Sequence, residues 1–266
     1  MAKEKKIGFG YFLNKRLKSL PLPGLEEQER HPPYVQISFL GKTTKMPFGL
    51  LYIDGYVTEE EFQIFFIDQV NESIKEDIKN FEVEIEKILR FEYKQLGEKV
   101  SLKGLSNRIS FYTHLYLWRE IEKYAMKRLS QFVSQQTGKT DNAYYDDTFH
   151  FSEVYYLIED NLLPNLKDIL PADLKRCITV FANFPDFDDT GLVAKEKGLR
   201  VIDWLDENVR TAFKEFCLFG KHKMNGYKYE SKKSPALRLY NEFPIEPLET
   251  ANYLRIIDKA IIESAK

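Results

Sequence analysis

Residues 57–96, VTEEEFQIFFIDQVNESIKEDIKNFEVEIEKILRFEYKQL, decide the architecture, because apolar residues return at helical spacing and neither proline nor glycine intervenes before Gly97. Thr58 followed by Glu61 forms a capping-box pattern, each side chain placed to satisfy the other's backbone N–H, and Val57 is placed to staple onto Phe62. Glu59, Glu60 and Glu61 suit the positive end of a helix dipole. Phe62, Phe66, Val70, Ile74, Ile78, Phe81, Ile85 and Ile88 then follow at steps of four or three, which keeps them on one helical face. A helix over 59–96 would be roughly 57 Å long, more than the width of a small domain, so it has to bend or lie along a second element.

That second element follows a reversal. Residues 97–107 carry two glycines and two serines, with Ser106 or Asn107 available as a cap. Phe111, Leu115, Trp118, Ile121, Ala125, Leu129 and Phe132 then form another apolar stripe. The spacing predicts a long antiparallel helical hairpin over 57–137. From 138 to 266 a helical C-terminal domain is expected, opened by the linker Thr137-Gly-Lys-Thr-Asp-Asn. Its helices are marked by Val154, Tyr155 and Leu157, then by Pro171 with Leu174, Ile178 and Phe181. A further helix would run from Leu199 through Ile202, Leu205, Val209, Phe213 and Phe216 to a stop at Gly220. Ser234-Pro235 would start another, and Tyr253, Ile256, Ile257, Ala260 and Ile261 stripe the last.

Residues 1–56 differ. Ile7 to Leu13 and Tyr34 to Leu40 are rich in β-formers, and Gly41-Lys42 turns into a third candidate strand from Thr43 to Phe48. Leu50 to Ile53 could add a fourth, while Pro21, Pro23, Pro32 and Pro33 keep the connection between the first two from being helical. The fold class is therefore mainly α with a small N-terminal antiparallel β module, an α+β arrangement.

The chain has 266 residues, 43% of them hydrophobic, enough for one large or two modest cores and too apolar for wholesale disorder. Cys177 and Cys217 stand far apart with no partner motif, which argues against a disulfide framework or a cysteine zinc site and fits a reducing, cytoplasmic compartment. The charged start is not followed by an apolar signal core, and no apolar run is long enough to span a bilayer, so a soluble chain with no membrane partner is expected. The net charge of −2 conceals alternating basic and acidic segments. They either neutralise one another or leave basic faces for a polyanion.

Tyr34-Val-Gln-Ile-Ser-Phe-Leu-Gly-Lys-Thr-Thr-Lys resembles the arm-type DNA-binding module at the start of some tyrosine recombinases, the integrases of phages and conjugative elements. The resemblance covers about fifty residues and extends over the helices that follow if these correspond to a core-binding domain. It implies a sheet that enters DNA, with Lys42, Thr43, Thr44 and Lys45 on its exposed turn and strand, and Lys15 and Arg16 nearby. The chain departs from the family in one respect. His31, His114, His150 and His222 are followed three positions later by Tyr34, Leu117, Glu153 and Asn225, so the His-x-x-Arg pair of the catalytic domain is missing. Recombinase activity is not supported; what the resemblance still implies is a DNA-binding module without the cutting domain.

Other candidate motifs are weaker. Gly41-Lys42-Thr43 and Gly138-Lys139-Thr140 end like P-loops, but the earlier glycine is replaced by Gln36 and Val133, and both read as turns. Asp186, Asp188 and Asp189 could hold a hard cation, or serve as turn and cap residues between helices. The turn is favoured, and Tyr144 to Asp147 reads as a solvated loop. Lys221, Lys223, Lys228, Lys232 and Lys233 interleave with Tyr227 to offer phosphate-pairing cations beside a stacking ring, or else form a solvated loop. Arg108, Arg119, Lys123, Lys127 and Arg128 are more readily explained by pairing with acidic helices than by DNA.

Three functions follow. The first is a non-catalytic DNA-binding protein, associated with a mobile element, that needs no cofactor and uses the β module with basic helical surfaces. The second is a helical protein-interaction protein or homo-oligomer, docking through the hairpin and identifiable by exposure of Phe65, Ile67 and Phe91. The third and most distant is a metal-dependent phosphotransfer or nuclease enzyme built on the Asp186 cluster.

Overall fold

A computed structural model describes residues 5–17, 29–48, 55–138, 150–188, 198–219 and 235–266. The chain divides into two compact units, Met1–Ile109 and Ser110–Lys266. The structure is mainly helical with one small N-terminal antiparallel sheet, as the sequence pattern predicts.

The first unit is built on that sheet. Strands β1 (Gly8–Leu13), β2 (Pro33–Phe39) and β3 (Lys42–Pro47) lie in the order β1-β2-β3. Leu40 and Gly41 close the β2–β3 hairpin with φ values of 53° and 72°. Two consecutive positive φ angles give a turn twisted in the sense the strands require. The turn therefore sits one residue earlier than the expected Gly41-Lys42, and Lys42 is the first residue of β3. The possible fourth strand at Leu50 to Ile53 lies outside the described residues.

Along β2, buried and half-buried residues alternate, which sends Val35, Ile37 and Phe39 to one face. Phe9, Tyr11, Leu13 and Met46 join them there, against Phe62, Phe66 and the buried stripe Ile74, Ile78, Ile85 and Leu89 of helix α2 (Glu72–Leu96). Phe48 packs edge-on against Phe81 and Tyr11, with ring centroids 4.8 Å and 5.2 Å away. The Tyr11 hydroxyl donates to Glu82 at 3.0 Å, and burial, together with the Glu82 charge, pushes that phenol well above its usual pKa.

The helical run over 57–96 begins as its sequence dictates and then breaks. The Thr58 hydroxyl accepts from the Glu61 N–H at 3.1 Å, and Glu61 accepts in return from the Thr58 N–H at 2.8 Å, at the start of α1 (Glu59–Phe62). Arg30 clamps the same carboxylate at 2.8 and 3.1 Å. A π-helical turn, Gln63–Ile67, follows, and Gln69 adopts φ 48°. Asn71 then starts α2 afresh, its side chain accepting from the N–H groups of Ser73 and Ile74. The break rotates Val70 out of the expected stripe, leaving it 71% exposed.

The second limb is also interrupted. Helix α3 (Leu105–His114) contains the boundary between the two units, and α4 (Leu117–Thr137) starts after a gap at Leu115 and Tyr116. Tyr116 is extended and bridges Arg200, with Leu117 N–H donating to the Leu199 carbonyl and Val201 N–H to the Leu115 carbonyl. The predicted domain 57–137 is thus divided: its first limb belongs to the sheet's unit and α4 to the second. The same bridge corrects the expected helix from Leu199 onward. A short 3-10 turn at Asp203–Leu205 precedes α8 (Glu207–Phe219), while Leu199 and Val201 are buried beside the bridge.

The second unit packs α4 against α7 (Ala172–Asp188) and α10 (Thr250–Ser264), with α5 (Phe151–Asn161), the short α6 (Leu166–Ile169) and α9 (Pro235–Glu242) around them. Ala125, Leu129, Phe151, Ile158, Ile178 and Ala260 are fully buried in this core. A second group of rings, Phe184, Phe187, Trp204, Phe213 and Phe216, joins α7 to α8. Among the described residues no helix is long and apolar enough to cross a membrane.

Candidate nucleic-acid interface

Among the described residues, the face of the sheet opposite α2 carries half-buried and exposed residues, and strand register dictates which they are. Pairs directly opposite one another share a face. Gly8, Ser38 and Thr43 therefore form one cross-strand row, Gly10, Gln36 and Lys45 the next, and Phe12, Tyr34 and Pro47 the third. These nine residues include no carboxylate. The Phe12 and Tyr34 rings lie 5.9 Å apart, and the Lys45 ammonium stands 5.1 Å from the Phe12 centroid. The Ser38 and Thr43 hydroxyls share a hydrogen bond of 3.3 Å.

The two glycines lower the floor on the β1 side. Gly10 has no neighbouring atom within 4 Å of where a Cβ would stand, and its φ is not among the positive ones. Neither packing nor backbone conformation calls for glycine there. A strand glycine weakens the strand and often marks a bulge, a bend or a place where a ligand or another backbone comes close. Gly8 is similar, its nearest neighbour being the Ser38 Cβ at 3.8 Å.

The four residues singled out on the hairpin are therefore not equivalent. Thr43 and Lys45 belong to the face opposite α2. Lys42 and Thr44 share the inner side with Met46, paired with Phe39, Ile37 and Val35 respectively. Lys42 is also engaged: its ammonium donates to the Val100 carbonyl at 2.7 Å and the Glu98 carbonyl at 3.3 Å, satisfying acceptors left over after α2 ends. Lys42, exposed, and Thr44, half-buried, thus stand on the other side of the strand from Thr43 and Lys45. Lys15 and Arg16 are exposed just beyond β1, with Lys15 paired to Glu59 at 2.8 Å. Gln36, Ser38, Phe12 and Tyr34 share this face with Thr43 and Lys45, which the sequence does not reveal because it shows strands but not which rows they form.

The other candidate sites fare differently. Lys221, Lys223, Tyr227, Lys228, Lys232 and Lys233 lie outside the described residues, as do Asp189 and the Tyr144 to Asp147 segment. Asp186 and Asp188 continue helix α7 through Pro185 instead of forming a loop between helices. Among the described residues no group of three His, Cys, Asp or Glu side chains is placed to hold a metal. Arg108 is an internal partner, as charge pairing suggests, gripping the buried Glu92 at 2.8 and 3.3 Å. Arg119 lies 5.3 Å from the Trp118 ring and Lys123 pairs with Glu120 at 2.9 Å.

In the second unit, Arg238 lies 4.0 Å from the Tyr156 ring centroid and ties Glu242, at 2.9 Å, to Glu159, at 3.3 Å. Burial and the neighbouring Glu242 hold the Glu159 carboxyl above its usual range. Cys177 and Cys217 are buried, and desolvation pushes each thiol up to about 12, the environment of a structural thiol. Comparison of the chain with protein-family models, curated proteins and solved structures finds no match.

Proposed function

We propose that this chain is a DNA-binding protein that acts without cutting chemistry of its own and receives the duplex on the face of its N-terminal sheet opposite α2. The supporting observation is Gly10, a strand glycine that neither the backbone nor the packing requires, set in a carboxylate-free row with Gln36 and Lys45. A major groove is wide enough for a β-ribbon. The Gln36 amide offers the paired donor and acceptor that suit an adenine edge, Ser38 and Thr43 offer hydroxyls, and Lys45 supplies a cation for phosphate or guanine.

The test is binding to mixed duplex DNA across a salt series. The wild type is expected to bind at micromolar concentration or tighter in low salt, weakening as salt rises. Lys45→Ala should weaken binding and reduce the logarithmic salt slope by about one unit. Gly10→Val should abolish binding while leaving the strand at least as stable, since valine favours strands and meets open space here. Lys42→Ala should leave the affinity unchanged. No detectable binding in low salt, or undiminished binding by Gly10→Val, would overturn the proposal.

A further inference from the structure

The break that interrupts the first helical run also exposes apolar surface. Ile64, Ile67 and Val70 are 37%, 53% and 71% exposed. The backbone brings two of them together: Gln69 turns into the left-handed region, and the Val70 N–H returns to the Ile64 carbonyl at 3.3 Å. This closure places Val70 beside Ile64, the apolar contact that usually accompanies such a helix end. Ile67 lies three residues on from Ile64, within the same π-helical turn. The π-helical geometry of Gln63–Ile67 is fixed by the Asp68 N–H donating to the Gln63 carbonyl, and by the Gln63 amide donating to the Asp68 carboxylate at 3.1 Å.

Charge indicates what covers this patch. Glu60 precedes Ile64 by one turn, Asp68 follows it by one turn, and Glu72 stands two residues past Val70; all three are exposed. Of these, Glu72 has Lys75 at 3.5 Å. Such a rim repels nucleic acid and anionic lipid. A two-fold contact between copies of the chain would set the same acids against each other. We infer that Ile64, Ile67 and Val70 dock a partner protein through a basic amphipathic helix, with its apolar residues on the patch and its lysines or arginines on Glu60, Asp68 and Glu72. This surface is separate from the sheet face opposite α2 and does not depend on DNA binding.

The probe is a synthetic amphipathic helix of leucine and lysine, labelled for fluorescence anisotropy, with a leucine–glutamate helix as control and the full chain as receptor. The lysine peptide should bind, weaken with salt, and lose about tenfold in affinity against both Ile67→Ser/Val70→Ser and Glu60→Lys/Glu72→Lys. Circular dichroism should show both variants folded, since every substituted side chain is exposed. Absence of binding, equal binding of the glutamate peptide, or unchanged affinity of Ile67→Ser/Val70→Ser would each overturn the inference. So would sedimentation showing a dimer that Ile67→Ser/Val70→Ser dissociates, because a second copy would then be the occupant.

Discussion

Replacing Asp258 by alanine is expected to destabilise the second unit by about 3–5 kcal/mol. Asp258, only 6% exposed on α10, accepts two hydrogen bonds from Arg210 at 2.6 and 2.9 Å and one from the Trp204 indole N–H at 2.9 Å. The Arg210 guanidinium also stacks 5.2 Å from the Trp204 ring centroid, so one carboxylate holds α10, α8 and the preceding 3-10 turn together. Removing it leaves a buried guanidinium without its counter-charge and an indole donor without its acceptor. Both tryptophans of the chain, Trp118 and Trp204, lie in this unit, so intrinsic fluorescence during urea unfolding reports on it selectively. With a urea dependence of about 1–3 kcal/mol per molar, the fluorescence midpoint should fall by more than about 1 M. The paired change Asp258→Leu/Arg210→Met should recover much of the loss, because the cost lies in the orphaned charge. A midpoint shift under about 0.3 M for Asp258→Ala would show that the network is not structural.

Arg108→Ala should have a similar effect in the first unit, again about 3–5 kcal/mol. Its guanidinium meets both oxygens of Glu92, which is 3% exposed in α2, and also donates to the Lys103 carbonyl at 2.7 Å and to the Ser101 carbonyl. One side chain thus fastens the loop between α2 and α3 to the helix that carries the sheet, and its loss takes the guanidinium away from a buried carboxylate. The first unit has no tryptophan, so the readout is amide hydrogen exchange on residues 72–96 and the matching far-UV circular dichroism transition. Exchange there should accelerate by two or more orders of magnitude while the tryptophan transition stays in place, about 1.4 kcal/mol corresponding to each factor of ten. Unchanged exchange in α2 would refute the assignment.

Several features were legible from the residues alone. The Thr58–Glu61 box, the apolar stripe from Ile74 to Ile88 and the alternation of Tyr34 to Phe39 are local patterns, and each is realised as the spacing predicts. The break at Asp68 to Asn71 carried a fainter signal. Asn71 is a strong N-cap residue, but with no glycine or proline nearby the unbroken periodicity outweighed it. The gap at Tyr116 had no local signal, since it is held open by pairing with residues more than eighty positions later. Phe91 reads as a patch residue off the main stripe and is buried, whereas Ile67 is exposed and Phe65 half-buried.

The sequence by itself determined the mainly helical class, the N-terminal antiparallel strands and the start of the first helix, because those rest on spacing and capping between near neighbours. Tertiary structure alone decided which hairpin residues share the sheet face opposite α2. Strand register places Thr43 and Lys45 on one side and Thr44 and the exposed Lys42 on the other, where Lys42 is held by the Glu98 and Val100 carbonyls. It also decided which charges are internal. Arg108, Arg210 and Asp258 look like ordinary surface residues in a chain rich in charge, and only folding removes them from water and makes their pairing obligatory.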